Sequence, residues 1–189
     1  PDREPHPRRR RLMTSTPTLV GPVVTLRPIT VDDAPAMFAA LDDTESNRLT
    51  GTQESFTFEQ VEAHCARVHA ADDRHDFAIT RSGDPTYVGE AVLMDIDGHN
   101  RSAGFRIALA NEGLFGQGLG TAATSMIIDF AFGELQLHRV ELEVFDFNDR
   151  ARHVYEVLGF VEEGVKRDAL WQDGAFHDAI LMSILAADD

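Results

Sequence analysis

The apolar residues of this chain recur with two different periods, and each period predicts one type of element. Alternating or short continuous runs rich in Val, Ile and Phe are typical of β-strands, whereas apolar residues three and four positions apart are typical of helices. The predicted strands are Val23–Leu26, His75–Arg81, Thr86–Ile96, Ser102–Leu109, Val140–Phe145, Phe160–Val165 and Phe176–Leu185. The predicted helices are Thr30–Leu41, Thr57–Ala71, Thr121–Phe132 and Asp149–Leu158.

The connections between these segments predict how they are arranged. Tight turns at 82–85 and 98–100 join three consecutive strands, which must therefore form an antiparallel meander. The polar stretch 42–51 separates the first two helices, and the second half contains one strand–helix–strand crossover. We expect one α+β domain with a mixed, mostly antiparallel sheet that is splayed near Leu109 and carries helices on both faces.

The composition bounds the class of protein. With 189 residues, 43% of them hydrophobic, the chain has the size and apolar content of a single globular domain. No apolar run approaches transmembrane length, so no membrane association is expected, and the single cysteine, Cys65, excludes an intrachain disulfide. Residues 1–17 are predicted to be a disordered leader, with Met13 as a candidate natural start, and residues 18–187 to be one domain. The expected compartment is a reducing cytoplasm.

The net charge of the chain indicates which kinds of ligand it can attract. The chain has 17 basic and 32 acidic residues and a net charge of -15, yet five arginines lie within its first 12 residues. Residues 13–189 therefore carry 12 basic and 30 acidic side chains, or -18. Such a domain repels nucleic acid and attracts cationic substrates such as amines. The run Arg8–Arg11 is not followed by an apolar segment, so an export signal is disfavoured.

A glycine-rich loop, Gly113–Gly120, lies between a predicted strand and a predicted helix. Glycines at this position allow backbone N–H groups to converge near the positive end of the helix, which makes a site for a phosphate or pyrophosphate. The alternative is a turn that binds no ligand. A nucleotide-triphosphatase loop is excluded because Leu119 stands where a Lys is required. A dinucleotide-binding domain is disfavoured because antiparallel hairpins precede the loop.

Two motifs in the second half resemble the GNAT N-acetyltransferases. Phe115–Gly120 lies where that family has Arg/Gln-x-x-Gly-x-Gly/Ala, its coenzyme A pyrophosphate loop, and Asn148–Phe160 is similar to Asn-x-x-Ala-x-x-x-Tyr-x-x-x-Gly-Phe. The resemblance covers about 23–185 and is strongest to the RimJ/RimL branch, the ribosomal-protein N-terminal acetyltransferases. Phe115 departs from the pattern, which removes one side-chain contact with phosphate.

The resemblance implies a role for each residue of the motifs. Tyr155 would be the general acid that protonates the coenzyme A sulfur, and Asn148 would bind pantetheine or nearby backbone; the alternatives are a packing tyrosine and a helix N-cap. Backbone groups near the end of the strand 102–109 would pair with pantetheine and polarise the thioester carbonyl. The implied cofactor-binding residues are Ile107, Leu109, Phe115, Gly116, Gln117, Gly118, Leu119, Gly120, Thr121, Asn148, Arg150 and Tyr155.

The general base is less well defined by the sequence. Glu90 lies in the middle of a predicted strand and is our candidate for facing the acceptor, either directly or through a water molecule. A solvated carboxylate with no role is the alternative for Glu90. His138 and His153 are further candidates for proton transfer, although surface histidines are common.

Other chemistries find no support. His64, Cys65 and His69 share a predicted helix, but positions 64 and 69 diverge around it, so no metal site is expected. No Gly-x-Ser-x-Gly motif of a serine hydrolase is present.

The sequence thus predicts an acetyl-CoA-dependent N-acetyltransferase that needs no metal and works by direct attack of an amine on the thioester. The expected acceptor is a protein or peptide N-terminal α-amine or a small cationic amine. The alternatives are a polyamine- or antibiotic-type acyltransferase and a coenzyme A-binding sensor without catalysis. The sequence leaves the oligomeric state open, with a homodimer as one option.

Overall fold

The computed structural model describes residues 15–187, and these form an α+β domain around one eight-stranded sheet, as predicted. The strands are β1 (Leu19–Val20), β2 (Val24–Pro28), β3 (His75–Arg81), β4 (Asp84–Asp97), β5 (Ser102–Leu109), β6 (Arg139–Phe145), β7 (Val161–Gln172) and β8 (Ala175–Leu185). The α-helices are α1 (Ala34–Ala40), α2 (Thr44–Thr50), α3 (Phe58–Arg67), α4 (Leu119–Asp129) and α5 (Asp149–Val157).

The sheet has two halves with different strand pairing. Strands β1 to β5 pair with their neighbours in chain order and are antiparallel, as the tight turns predicted. The chain then crosses over through α4, so that β6 lies parallel to β5, and β8 and β7 follow in antiparallel pairing. The predicted mixed sheet with a single crossover is therefore confirmed.

Helices cover both faces of the sheet. On one face, α1 and α3 bury a small apolar cluster that includes Ile29, Cys65 and Ala78. On the other face, α4 and α5 pack on the larger core, to which Ile127 and Tyr155 belong. Within residues 15–187, no helix combines the length and the apolar character needed to cross a bilayer.

Four local predictions need correction. The polar stretch 42–51 contains α2, which begins where the Asp43 carboxylate accepts a hydrogen bond from Ser46 N at 2.7 Å. The short strand β1 precedes the first predicted strand, Val23–Leu26. Helix α4 begins at Leu119, two residues early, because Gly118 adopts the left-handed conformation that precedes it. Strand β7 continues past Val165 to its hairpin turn.

The predicted leader 1–17 is only partly open to comparison. Its residues 1–14, including Met13, lie outside the described residues. Thr16 Oγ1 lies 3.1 Å from His75 Nδ1 and so contacts β3. The domain limits 18–187 stay a prediction.

Candidate active site

Strands β5 and β6 separate and open a cleft through the sheet. They pair only from Ser102 to Gly104 of β5, so the remainder of β5 has no partner on the β6 side. The resulting cleft has a volume of about 940 Å³. Its β6 wall includes Leu142 and Val144, which face α4 and α5, as well as Glu143, which faces the opposite side. Because successive residues of a strand point to opposite faces, the cleft connects the two faces of the sheet.

The glycine loop forms one end of this cleft. Gly116 and Gly118 have φ values of 71° and 75°, which favour glycine, and α4 starts immediately after them. None of the N–H groups of residues 116–121 donates a hydrogen bond to a described residue. A Cβ atom at Gly116, Gly118 or Gly120 would meet nothing within 4 Å. The loop therefore offers free donors, the positive end of a helix and open space, which together suit a phosphate group.

The two larger residues of the loop point in different directions. Phe115 lines the cleft, and the Arg150 guanidinium carbon lies 3.9 Å from its ring centroid. The Gln117 amide instead donates to Gly113 O at 2.7 Å and accepts a hydrogen bond from the Arg81 guanidinium. The side chain of Gln117 thus lies outside the cleft, and only its backbone can serve the predicted cofactor contact there.

The free part of β5 supplies backbone groups to the middle of the cleft. In an antiparallel pair, the backbone N–H and C=O groups of only every second residue point to the partner strand. The N–H and C=O groups of residues 105–109 that point away from β4 therefore face the gap. The side chains of Ile107 and Leu109, both predicted cofactor-binding residues, line the cleft. Leu109 O already accepts a hydrogen bond from Ser46 Oγ at 3.0 Å, which ties α2 to the end of β5.

Tyr155 lies on α5 at the side of the cleft, and 8% of its surface is exposed. Its ring packs on Phe160, and burial raises the pKa of its hydroxyl to about 12. The hydroxyl has no hydrogen-bond partner among residues 15–187, whereas every fully buried polar side-chain atom there has one. The hydroxyl therefore reaches the open space of the cleft and keeps its proton at neutral pH.

Asn148 lines the same cleft, but both ends of its amide have partners. Its Oδ1 accepts from Ala151 N at 3.2 Å and caps α5, while its Nδ2 donates to Leu49 O at 3.3 Å. The side chain thus fixes the start of α5 and holds α2 beside the cleft. Its predicted contact with pantetheine stays a prediction.

Glu90 lies behind an arginine. Its carboxylate is 2.7 Å from Arg106 Nη2 and its side chain is 14% exposed, so the fully solvated alternative does not apply. Arg106 lines the cleft, whereas Glu90 does not. The Arg106 guanidinium already donates a hydrogen bond to the Glu90 carboxylate, so Glu90 makes no direct contact with the cleft in this arrangement. Its role as the base stays a prediction.

The face of the cleft opposite α4 and α5 is lined by paired charges. Glu143 forms an ion pair with Lys166, and Arg139 bridges Glu141 and Glu163 at 2.8 and 2.5 Å. The Arg139 guanidinium lowers the pKa of Glu163 to about 2. All five residues line the cleft. Glu163 is thus ionised at neutral pH, and a cation that enters the cleft meets all three of these carboxylates.

The remaining predicted candidates lie away from the cleft. His138 and His153 are exposed and do not line it. Among residues 15–187, leaving aside the side chain of His69, no group of three or more His, Cys, Asp or Glu side chains is placed to hold a metal ion.

The sequence reasoning missed the contribution of α2. Ser46, Leu49 and Thr50 line the cleft next to the ends of β5 and β6. The spacing of Asp43 and Ser46, which is typical of a helix N-cap followed by its third helical residue, was a usable signal. Nothing in the sequence showed that this helix would lie against the gap.

Comparisons with known proteins agree with this geometry. The family model described as an acetyltransferase (GNAT) domain matches residues 24–161. A Bacillus subtilis protein named "Putative ribosomal N-acetyltransferase YdaF" is 38% identical over 102 residues, 54% of this chain and 55% of that protein. The spermidine N(1)-acetyltransferase of Vibrio cholerae is 32% identical over 117 residues, 62% of this chain and 67% of that protein. The matched segments thus span between about half and two thirds of these relatives.

A solved structure covers more of the chain. The crystal structure of spermidine N-acetyltransferase from Vibrio cholerae in complex with CoA and spermine has a TM-score of 0.80 and 25% sequence identity. It covers 89% of this chain and 98% of that chain. The similarity therefore extends over most of this chain.

Proposed function

The chain belongs to the GNAT acetyltransferases, a family that uses acetyl-CoA as cosubstrate, and on this premise we propose that it transfers an acetyl group to a primary amine. The observation that carries the proposal is the cleft through the sheet. Coenzyme A phosphates would lie on the glycine loop, which would direct the thioester into the gap between β5 and β6. The amine would approach from the opposite face.

The proposed reaction needs no covalent enzyme intermediate. The neutral amine nitrogen attacks the thioester carbonyl carbon, and backbone N–H groups of β5 stabilise the negative oxygen that develops. The C–S bond then breaks, and the Tyr155 hydroxyl donates its proton to the departing sulfur. The attacking nitrogen loses a proton to water or to Glu90, and solvent returns a proton to Tyr155. The products are an amide and free coenzyme A.

The proposed acceptor is a cationic amine, with a protein or peptide α-amine as the first candidate. The net charge of -15 and the carboxylates on the acceptor side of the cleft both favour a cation. An α-amine with a pKa near 8 is about 10% neutral at pH 7, so it requires little help from a base. This acceptor corresponds to the RimJ/RimL type. The name of the Bacillus relative supports it.

A small polyamine is the second candidate acceptor. The spermidine N-acetyltransferases among the relatives and solved structures support it, as does the row of carboxylates along β6. A cytoplasmic enzyme, as a monomer or a homodimer, is proposed in either case.

The test is a panel of amines assayed for release of the coenzyme A thiol. Peptides that begin with Ser or Ala, spermidine and an aminoglycoside would be compared at equal concentration with acetyl-CoA. We expect turnover with at least one cationic amine and a preference for α-amines. If coenzyme A binds with micromolar affinity but no amine accelerates thiol release, the protein is a coenzyme A sensor instead.

A further inference from the structure

The stacked pair Phe115–Arg150 joins the glycine loop to the first turn of α5. The guanidinium carbon lies 3.9 Å from the ring centroid, and both side chains line the cleft beside Gly116 and Gly118. The two residues come from elements 35 positions apart in the sequence, so the pair exists only in the folded chain.

Arg150 differs from most arginines of the domain in forming no ion pair with a carboxylate. Six others form ion pairs with a carboxylate: Arg27, Arg48, Arg74, Arg106, Arg139 and Arg152. Among residues 15–187, no carboxylate oxygen lies within 4.0 Å of the Arg150 guanidinium. Glu45 interacts electrostatically with Arg150 but forms its ion pair with Arg48, so the N–H groups of this cleft-lining guanidinium remain available to an anion.

We propose that Phe115 holds Arg150 in place so that its guanidinium binds a phosphate oxygen of coenzyme A, which makes Phe115 a positioning residue for the donor. This inference rests on the proposed function. The ring occupies one flat face of the guanidinium, while the N–H groups at its edge remain directed outward, and a phosphate accepts hydrogen bonds from that edge. The side chain thereby loses less conformational freedom when the coenzyme binds.

The pair also accounts for the departure at position 115. The sequence motif has Phe115 where the resembling family carries Arg or Gln, so a side-chain contact with phosphate is missing from the loop itself. In the structure α5 brings a guanidinium to the same place, and Phe115 provides the surface on which it rests. The positive charge therefore comes from a different element of the fold.

The test is a double-mutant cycle on coenzyme A binding, measured by calorimetry. Arg150→Gln should weaken binding about tenfold, because a charge-assisted contact with phosphate is lost. Phe115→Leu should weaken binding about threefold in the wild-type background and not at all in the Arg150→Gln background. Phe115→Trp, which keeps an aromatic face, should restore near wild-type affinity. Arg152→Gln, on the same helix but paired with Glu156, is the matched control and should bind normally.

A second arm separates phosphate recognition from general loosening of the site. With S-acetylpantetheine, a donor that has the thioester but no pyrophosphate or nucleotide, Arg150→Gln and Phe115→Leu should leave kcat/KM unchanged. Equal losses with both donors, or losses that simply add in the double variant, would overturn the inference while leaving the proposed function intact. Absence of coenzyme A binding by the wild-type protein would instead refute the proposed function.

Discussion

On the side of the cleft that α4 and α5 cover, which we call the donor side, an anion meets the backbone N–H groups of the glycine loop and one arginine, Arg150. On the opposite side, which we call the acceptor side, the charged groups are side chains that already form ion pairs, such as Glu143 with Lys166. Backbone donors are fixed by the fold and need no counter-charge, so an acidic domain can bind phosphate without many lysines. Partly exposed ion pairs can exchange partners at low cost, which suits a variable cationic acceptor. We therefore expect substitutions on the donor side to have larger effects than those on the acceptor side.

The largest effect on turnover is expected at Tyr155, which lies on α5 and reaches the open space of the cleft. Tyr155→Phe keeps the ring packed on Phe160 and removes only the proton donor, so kcat should fall about 100-fold while coenzyme A affinity stays within a few-fold. Steady-state kinetics and calorimetry measure the two quantities. Near wild-type kcat, under conditions where chemistry limits turnover, would reduce Tyr155 to a packing residue.

The pH profile provides a further check on Tyr155. Burial raises its pKa to about 12, and a tyrosine is protonated below its pKa, so the acid stays in its active form across the neutral and mildly alkaline range. The wild-type rate should therefore rise with pH as the acceptor amine loses its proton, with no decline due to Tyr155 below about pH 11. A decline near pH 8 that Tyr155→Phe abolishes would contradict this assignment.

The second largest effect is expected on coenzyme A affinity, through a substitution in the glycine loop on the donor side. Gly118→Val should weaken coenzyme A binding at least tenfold, because a branched residue disfavours the left-handed conformation that directs the N–H groups of the loop. Gly174→Val is the matched control, since Gly174 has a φ of 81°, open space around it and a position in the β7–β8 turn. Both variants should lose similar thermal stability, but only Gly118→Val should lose affinity. Equal affinities would place the donor site elsewhere.

The smallest effect is expected on the acceptor side. Glu143→Gln should raise the acceptor KM about threefold and leave the acetyl-CoA KM unchanged, because a partly exposed carboxylate contributes little to binding. The wild-type acceptor KM should also rise between low and moderate salt, as screening weakens attraction by the acidic domain. Glu62→Gln, on the exposed side of α3, is the control. No response to salt, combined with a preference for anionic acceptors, would refute a cationic acceptor.

Local patterns in the sequence determined most of the elements and pointed to part of the candidate site. Hydrophobic periodicity and turn residues were sufficient for the meander, because tight turns join its strands, and the helical pattern between two strands indicated the crossover. The glycine loop and Tyr155 were found for the same reason, since each lies within one continuous motif. The sequence also showed the excess of acidic residues that favours a cationic acceptor.

Only the tertiary structure decided the remaining features. The stacking of Arg150 on Phe115, the ion pair of Glu90 with Arg106, and the position of α2 beside the gap all join residues that are distant in sequence. The stacked pair and α2 lie beside the gap that β5 and β6 leave beyond Gly104, whereas the ion pair crosses the paired strands β4 and β5. Residue types and spacings set which contacts a segment can make, whereas the geometry of the packed sheet selects the ones that form.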